Sequence, residues 1–176
     1  MREILKLGGK LLLIALIAGL ALGVTNEITK GPIAQQAAAS ENAARMQVLP
    51  AADSFEETGD GVYRGTDAAG NLTGFVTTVT VTGYGGPIEV TVGVDKNGTI
   101  TGINVGGSNF SETAGLGARV KEEAFYGQFA GKTAPVALTK DGGEIDAVTS
   151  ATISSTAVKN AVNAACDILV PLAQRG

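Results

Sequence analysis

The hydrophobic and polar positions change period along the chain, and each change marks an element. Leu11 to Val24 is apolar, interrupted only by small residues. Counted from Leu5, with Lys6 and Lys10 snorkelling, the run reaches 20 residues, about one bilayer core. Gly31-Pro32 then predicts a break in the helix. Ile33 to Val48 is alanine-rich, with Ser40-Glu41-Asn42 in its middle, and predicts a short membrane-proximal helix ended at Pro50. Its thin apolar face suits a spacer or a partner contact better than a core. Phe55 to Gly61 is acidic and reads as a loop, so the domain boundary falls there. The expected organisation is a cytoplasmic tip and anchor at 1–24, a membrane-proximal helix and linker at 25–60, and a folded domain at 61–176.

From residue 62 the period is two. Val62 to Gly65 is a short strand and Asp67 to Asn71 a turn, and Leu72 to Thr82 has the β-branched density of a long strand. Gly83 to Pro87 breaks it. Ile88, Val90, Val92 and Val94 alternate again, Lys96-Asn97-Gly98 signals a hairpin, and Thr99 to Val105 returns. These runs predict an antiparallel meander with one apolar face and one rich in Thr. A helix at about Ala118 to Phe129, apolar at Val120, Ala124, Phe125 and Phe129, would cover it. Val136 to Leu138 and Glu144 to Ala147 predict further short strands. In the last stretch Ala157, Val158, Ala161, Val162, Ala165, Ile168, Leu169 and Leu172 recur at helical spacing. The fold class expected is therefore α+β: an antiparallel sheet with helices packed on it, preceded by one N-terminal transmembrane helix.

Ser154 or Ser155 is a natural N-cap for that last helix. Thr152 would then sit where unpaired backbone N–H groups and the positive dipole end converge, a ready place for a phosphate. An ordinary Ser/Thr-capped helix has the same spacing, so the pattern alone favours the plainer reading.

Composition narrows the chemistry. Histidine is absent, which removes His-based triads, most zinc sites and the usual general base. The single cysteine, Cys166, falls among apolar positions and excludes an intrachain disulfide. No Trp, few aromatics and a net charge of −4 argue against a nucleic-acid stacking surface. The charge is uneven. Residues 1–24 carry Arg2, Lys6 and Lys10 against Glu3, a net of +2, which leaves −6 for the rest. A cationic head before an apolar run puts the N-terminus in the cytoplasm and the acidic body outside. Ala21-Leu22-Gly23 could serve as a cleavage site, but a retained anchor is the expectation. No lipobox cysteine follows the run.

Asp146, Thr149, Ser150, Ala151 and Thr152 resemble the Asp-x-x-(Ser/Thr)-Gly-Ala-Thr flavinylation motif of the FMN-binding domain family. That family includes the G-type component of the Rnf complex and the C-type component of the Na+-translocating NADH:quinone reductase. The resemblance implies FMN joined through its phosphate to Thr152, with Thr149, Ser150 and Ala151 around it. Ser150 stands where the family usually has Gly, so a positive φ there would be a local cost. Asp146 would position the acceptor hydroxyl or bind a cation during attachment, unless it simply caps the Thr149 turn.

Two more segments carry the same resemblance. Gly83-Tyr84-Gly85-Gly86-Pro87-Ile88 is similar to the family's Gly-Tyr-x-Gly-x-Ile turn. Glu112-Thr113-Ala114-Gly115-Leu116-Gly117 is similar to its Glu-Thr-Pro-Gly-Leu-Gly loop, and Phe125, Gln128, Phe129, Gly131 and Lys132 follow a family pattern. In the family this loop packs on the isoalloxazine. Gly115 and Gly117 would let the backbone approach the ring, Leu116 would give an apolar contact and Thr113 a hydrogen bond.

The resemblance covers roughly residues 60–165 and the anchor. It implies a membrane-anchored, extracytoplasmic flavoprotein that relays electrons through covalent FMN as one subunit of an Rnf-type ion-translocating ferredoxin:NAD+ oxidoreductase. Its partners would be the other membrane subunits and, during maturation, a flavin transferase. The alternative is a stand-alone flavin-binding sensor or electron shuttle. Without His or a second domain, a complete enzyme is not expected.

Overall fold

The computed structural model describes residues 2–175; Met1, Gly176 and the side chains of Glu3, Ile4, Leu5 and Ala34 lie outside it. The chain divides into two compact units, 1–41 and 42–176. Helix α1 (Arg2–Val48) contains a segment long and apolar enough to cross a membrane, with a mean hydropathy of 2.2 and no part of it buried. Among the described residues of 1–41 the large apolar side chains, Leu11 to Leu13 among them, are exposed.

The expected break at Gly31-Pro32 does not occur. Helix α1 runs through Pro32, which forfeits one backbone hydrogen bond, and the helix-forming alanines beyond it propagate the turn. The separate helix expected at 33–48 is thus the C-terminal part of α1. Its final turn is also core rather than spacer. Val48 and Leu49 are fully buried with Ala52 and Val76, and Arg45 stacks 3.7 Å above the Tyr63 ring.

Five strands follow in a simple meander, each antiparallel to the next: β1 (Ser54–Gly59), β2 (Val62–Thr66), β3 (Leu72–Thr82), β4 (Pro87–Asp95) and β5 (Ile100–Gly106). Strand β1 replaces the acidic loop expected there. It is an edge strand, and Glu56 and Glu57 keep that edge from pairing with another chain. The period of two holds where it was read. On β4, Ile88, Val90, Val92 and Val94 face α3 (Thr152–Ala173), with Phe75 of β3 beside them. The other face is only partly the Thr surface expected, because the end of α1 covers it. Thr101 Oγ1 donates to the Val48 carbonyl there. A Cβ on Gly93 would lie 2.5 Å from that same oxygen, which is why the position is glycine.

The single helix expected at 118–129 is instead a tight turn at Gly117–Lys121, a one-turn α2 (Glu123–Tyr126) and a second tight turn at Gly127–Phe129. Glu122 is extended and breaks the run. Val120 and Phe125 are five apart, a spacing that one helix would put on different faces. The break re-phases them, so that Val120, Phe125 and Phe129 all reach the core while Ala124 is exposed. The short strands at 136–138 and 144–147 reduce to one parallel bridge, Leu138 to Ile145, around the turn at Thr139–Asp141. Helix α3 buries the expected stripe apart from Leu172, which is half-buried, and Ile168, which is 47 % exposed. Cys166 is buried in that stripe, and burial beside Asp167 pushes its thiol up to about 11.

Candidate functional site

The stretch 146–151 reaches α3 as an extended segment and a turn, braced on both sides. Gln128 grips the backbone of Asp146 at both ends: Asp146 N–H donates to Gln128 Oε1 at 2.7 Å, and Gln128 Nε2 donates to the Asp146 carbonyl at 3.2 Å. Lys132 pairs with Glu144 nearby and holds its carboxyl below the usual carboxylate range. The Asp146 carboxylate itself is exposed and bonds no described residue. Among the described residues no cluster of three or more potential ligands could hold a metal ion.

The turn closes with the Ala151 N–H donating to the Val148 carbonyl at 3.0 Å. Ser150 lies at φ 63°, the left-handed conformation that glycine adopts without strain. Ser150→Gly is therefore expected to leave the melting temperature unchanged or raise it slightly. Strain relief of roughly 1–2 kcal/mol is offset by roughly 0.5–1 kcal/mol of added backbone entropy. Thermal unfolding of the two proteins checks it.

Neither Ser154 nor Ser155 caps the helix. Helix α3 begins at Thr152, and Ala151 occupies the cap position with no side-chain hydrogen bond. Both serines lie inside the first turn and are buried. Ser155 Oγ accepts from the Val148 N–H at 3.0 Å and donates to the Ala151 carbonyl at 3.0 Å, so it braces the turn from within. The amides of Thr152, Ile153 and Ser154 consequently open the helix without a side-chain acceptor. Thr152 is exposed at that end.

A cavity of about 390 Å³ lies against this helix start. One wall is Ser150 to Ser154; the others are Tyr84 from the β3–β4 turn, and Glu112, Thr113, Leu116 and Gly117. Of the residues singled out in the sequence, Thr113, Leu116, Gly117, Ser150, Ala151 and Thr152 line it together. Thr149 and Gly115 do not. Gly115, at φ 76°, shapes the loop, whose Leu116 and Ala118 amides both donate to the Thr113 carbonyl at 3.1 Å. A second cavity of about 300 Å³ lies across Thr152 and Ile153, lined also by Thr82, Thr156, Ala157 and Asn160.

Sequence reasoning gave no role to Tyr84, Glu112, Ile153 or Ser154 as cavity residues. Tyr84 and Ile153 are 73 % and 57 % exposed at the cavity mouth, beside Leu116 at 45 %. Glu112 is only 9 % exposed. Its Oε1 accepts from the Gly85 N–H at 3.0 Å and its Oε2 from Ser154 Oγ at 2.8 Å. Its signals in the sequence were its place at the head of the Glu112–Gly117 motif and its being a carboxylate in an otherwise small and apolar loop.

Residues 83–167 match the model of the FMN-binding domain, and residues 1–48 match that of the RnfG N-terminal region. The G-type component of the ion-translocating oxidoreductase complex of Methanosarcina acetivorans is 35 % identical over 94 % of this chain and 94 % of its own length. Its counterpart in the Na+-translocating ferredoxin:NAD+ oxidoreductase complex of Acetobacterium woodii is 36 % identical over 92 % and 89 %.

The chain belongs to the RnfG family.

The RnfG N-terminal region and the FMN-binding domain thus occur together on this chain. Two solved structures share the fold of the domain. The first, Shewanella oneidensis NqrC, aligns with a TM-score of 0.50 at 21 % identity, over 65 % of this chain and 65 % of its own. The second is the C-type component of the Na+-translocating NADH-quinone reductase of Parabacteroides distasonis. It gives 0.53 at 24 % over 64 % and 62 %. This chain thus spans somewhat under two thirds of either structure.

Proposed function

We propose that this chain is a membrane-associated flavoprotein of an Rnf-type ferredoxin:NAD+ oxidoreductase complex, and that it holds FMN through a phosphoester on Thr152. The observation that carries the attachment site is the contrast between hydroxyls. Thr152 is exposed and lines both cavities, whereas the exposed Thr149 lines neither, Ser150 lines one, and Ser154 and Ser155 are buried and hydrogen-bonded. Only an exposed hydroxyl can enter the active centre of a flavin transferase.

The residues present fit FMN. A volume of about 390 Å³ lies within the roughly 300–1,000 Å³ of small-molecule sites. Uncapped amides at the start of α3 suit the charge that a phosphodiester keeps. Tyr84, Leu116 and Ile153 offer apolar surface at the mouth for a flat ring, and Thr113 a hydroxyl at its edge. Bound there, FMN supplies the redox chemistry, and the chain supplies tethering, orientation and shielding. Covalent attachment keeps the site filled where free FMN is scarce, since a reversible site empties by mass action.

The charge asymmetry supports an N-terminus in the cytoplasm and the FMN-binding domain outside, with the other membrane subunits as partners. Protease added to intact cells is expected to digest the domain and spare a fragment bearing the anchor. Protection of the domain until the membrane is opened would reverse the orientation. Attachment is checked by expression with and without a flavin transferase. Only the first is expected to give a fluorescent band on a denaturing gel; no fluorescence in either would remove the covalent tether.

A further inference from the structure

The geometry points to Glu112 as the positioning residue that locks the three walls of the cavity into one seat for the flavin ring. This rests on the reading of the cavity as the FMN site. The walls come from distant parts of the chain: the turn at 83–87, the loop at 112–117 and the start of α3. The Glu112 carboxylate joins all three from the middle one, giving one oxygen to the Gly85 N–H and the other to Ser154 Oγ. Its neighbour Ser111 takes the other end of Gly85, with Oγ donating to the Gly85 carbonyl at 2.7 Å. Consecutive residues thus hold the turn through both backbone groups of a single glycine.

The slot is built for this side chain. A Cβ on Gly83 would lie 2.2 Å from Glu112 Oε1, and one on Gly117 would lie 2.0 Å from Oε2. Two glycines, one on the 83–87 turn and one at the end of the 112–117 loop, therefore leave room for the two carboxylate oxygens. A carboxylate only accepts, and both of its partners here donate. Glutamine at this position would still accept from Gly85 through Oε1, while its Nε2 would donate to the Ser154 hydroxyl, which accepts equally well. Alanine would leave the Gly85 amide and the buried Ser154 hydroxyl without an acceptor.

The test uses the full chain, co-expressed with a flavin transferase and purified in detergent, as wild type, Glu112→Ala, Glu112→Gln and Ser154→Ala. Hydrogen exchange reads the turn at 83–87, and visible circular dichroism reads how firmly the tethered flavin is seated, at equal flavin content. In Glu112→Ala the Gly85 segment is expected to exchange roughly ten- to a hundredfold faster, the range for losing a hydrogen bond to a charged group. Its flavin remains on Thr152, but the dichroism falls to that of free FMN. Glu112→Gln is expected to match wild type on both readings. Should Glu112→Ala not fold, Ser154→Ala carries the test: protection at Gly85 stays and the dichroism falls. Unchanged exchange or dichroism in Glu112→Ala, loss in Glu112→Gln, or wild-type dichroism in Ser154→Ala would overturn the assignment. A wild type that carries no flavin defeats the cofactor reading instead, and the exchange result still decides the lock.

Discussion

Thr152→Ala protein is expected to fold and melt like wild type and to carry no flavin after denaturation. The Thr152 hydroxyl is exposed, and removing such a group changes stability by no more than about 0.5 kcal/mol. Helix α3 keeps its buried stripe, and the brace from Ser155 to Val148 and Ala151 is untouched. What disappears is the acceptor oxygen. Ser154 and Ser155 cannot replace it, because reaching solvent would break their buried hydrogen bonds and unwind the first turn. Thr149, which lines neither cavity, is the substitution to compare. Thr149→Ala is expected to lower the yield of attachment without moving its site. A Thr152→Ala protein that is still yellow when denatured would show that another hydroxyl is the acceptor.

Gly117→Ala is expected to lose about 2 kcal/mol of stability and to disturb the bound flavin, although only a methyl group is added. That methyl would lie 2.0 Å from Glu112 Oε2 and 2.8 Å from Ser154 Oγ. Neither neighbour can give way cheaply. The carboxylate is held at both oxygens, and Ser154 is part of a helix turn. Gly127→Ala is the control, since its added carbon meets nothing nearer than the flexible Glu123 side chain at 3.6 Å. Thermal unfolding and the visible spectrum of both proteins check the pair. A Gly117→Ala protein as stable as the control, with an unaltered spectrum, would mean that the cavity walls yield easily around Glu112.

The sheet was legible because its strands bury alternate residues against α3. Leu72–Thr82 carries its pattern without a break, and β3 has those bounds. Strand β1 was not legible, because an edge strand with Glu56 and Glu57 exposed has no apolar period to read. The helix expected at 118–129 failed for a related reason. Val120, Phe125 and Phe129 are all buried, but a backbone break at Glu122, which leaves no mark in the apolar count, brings them into phase. The continuity of α1 through Pro32 was hidden by the strength of the Gly-Pro signal, which outweighs the alanines only when counted locally.

At the site, the candidate residues came from resemblance; six of them line one cavity, while Thr149 and Gly115 do not. Ser150 at positive φ is where the departure from glycine placed the cost. Neither Ser154 nor Ser155 is the expected cap: Ser155 bonds backward into the turn, which has the same spacing as a cap, and Ser154 bonds Glu112 instead. Glu112 escaped a role for a different reason. Its partners, Gly85 and Ser154, are 27 and 42 residues away, and no local pattern encodes a contact of that range.

The attachment site is tested most directly by peptide mapping of the wild-type protein made with a flavin transferase. Trypsin should release Asp141–Lys159, which carries Thr149, Ser150, Thr152, Ser154, Ser155 and Thr156 on one peptide. Fragmentation of that peptide is expected to place the mass of FMN less water on Thr152 alone. The same mass on any other hydroxyl of this peptide, or on any residue outside it, would contradict the reading of the exposed Thr152 hydroxyl as the point where the flavin is held.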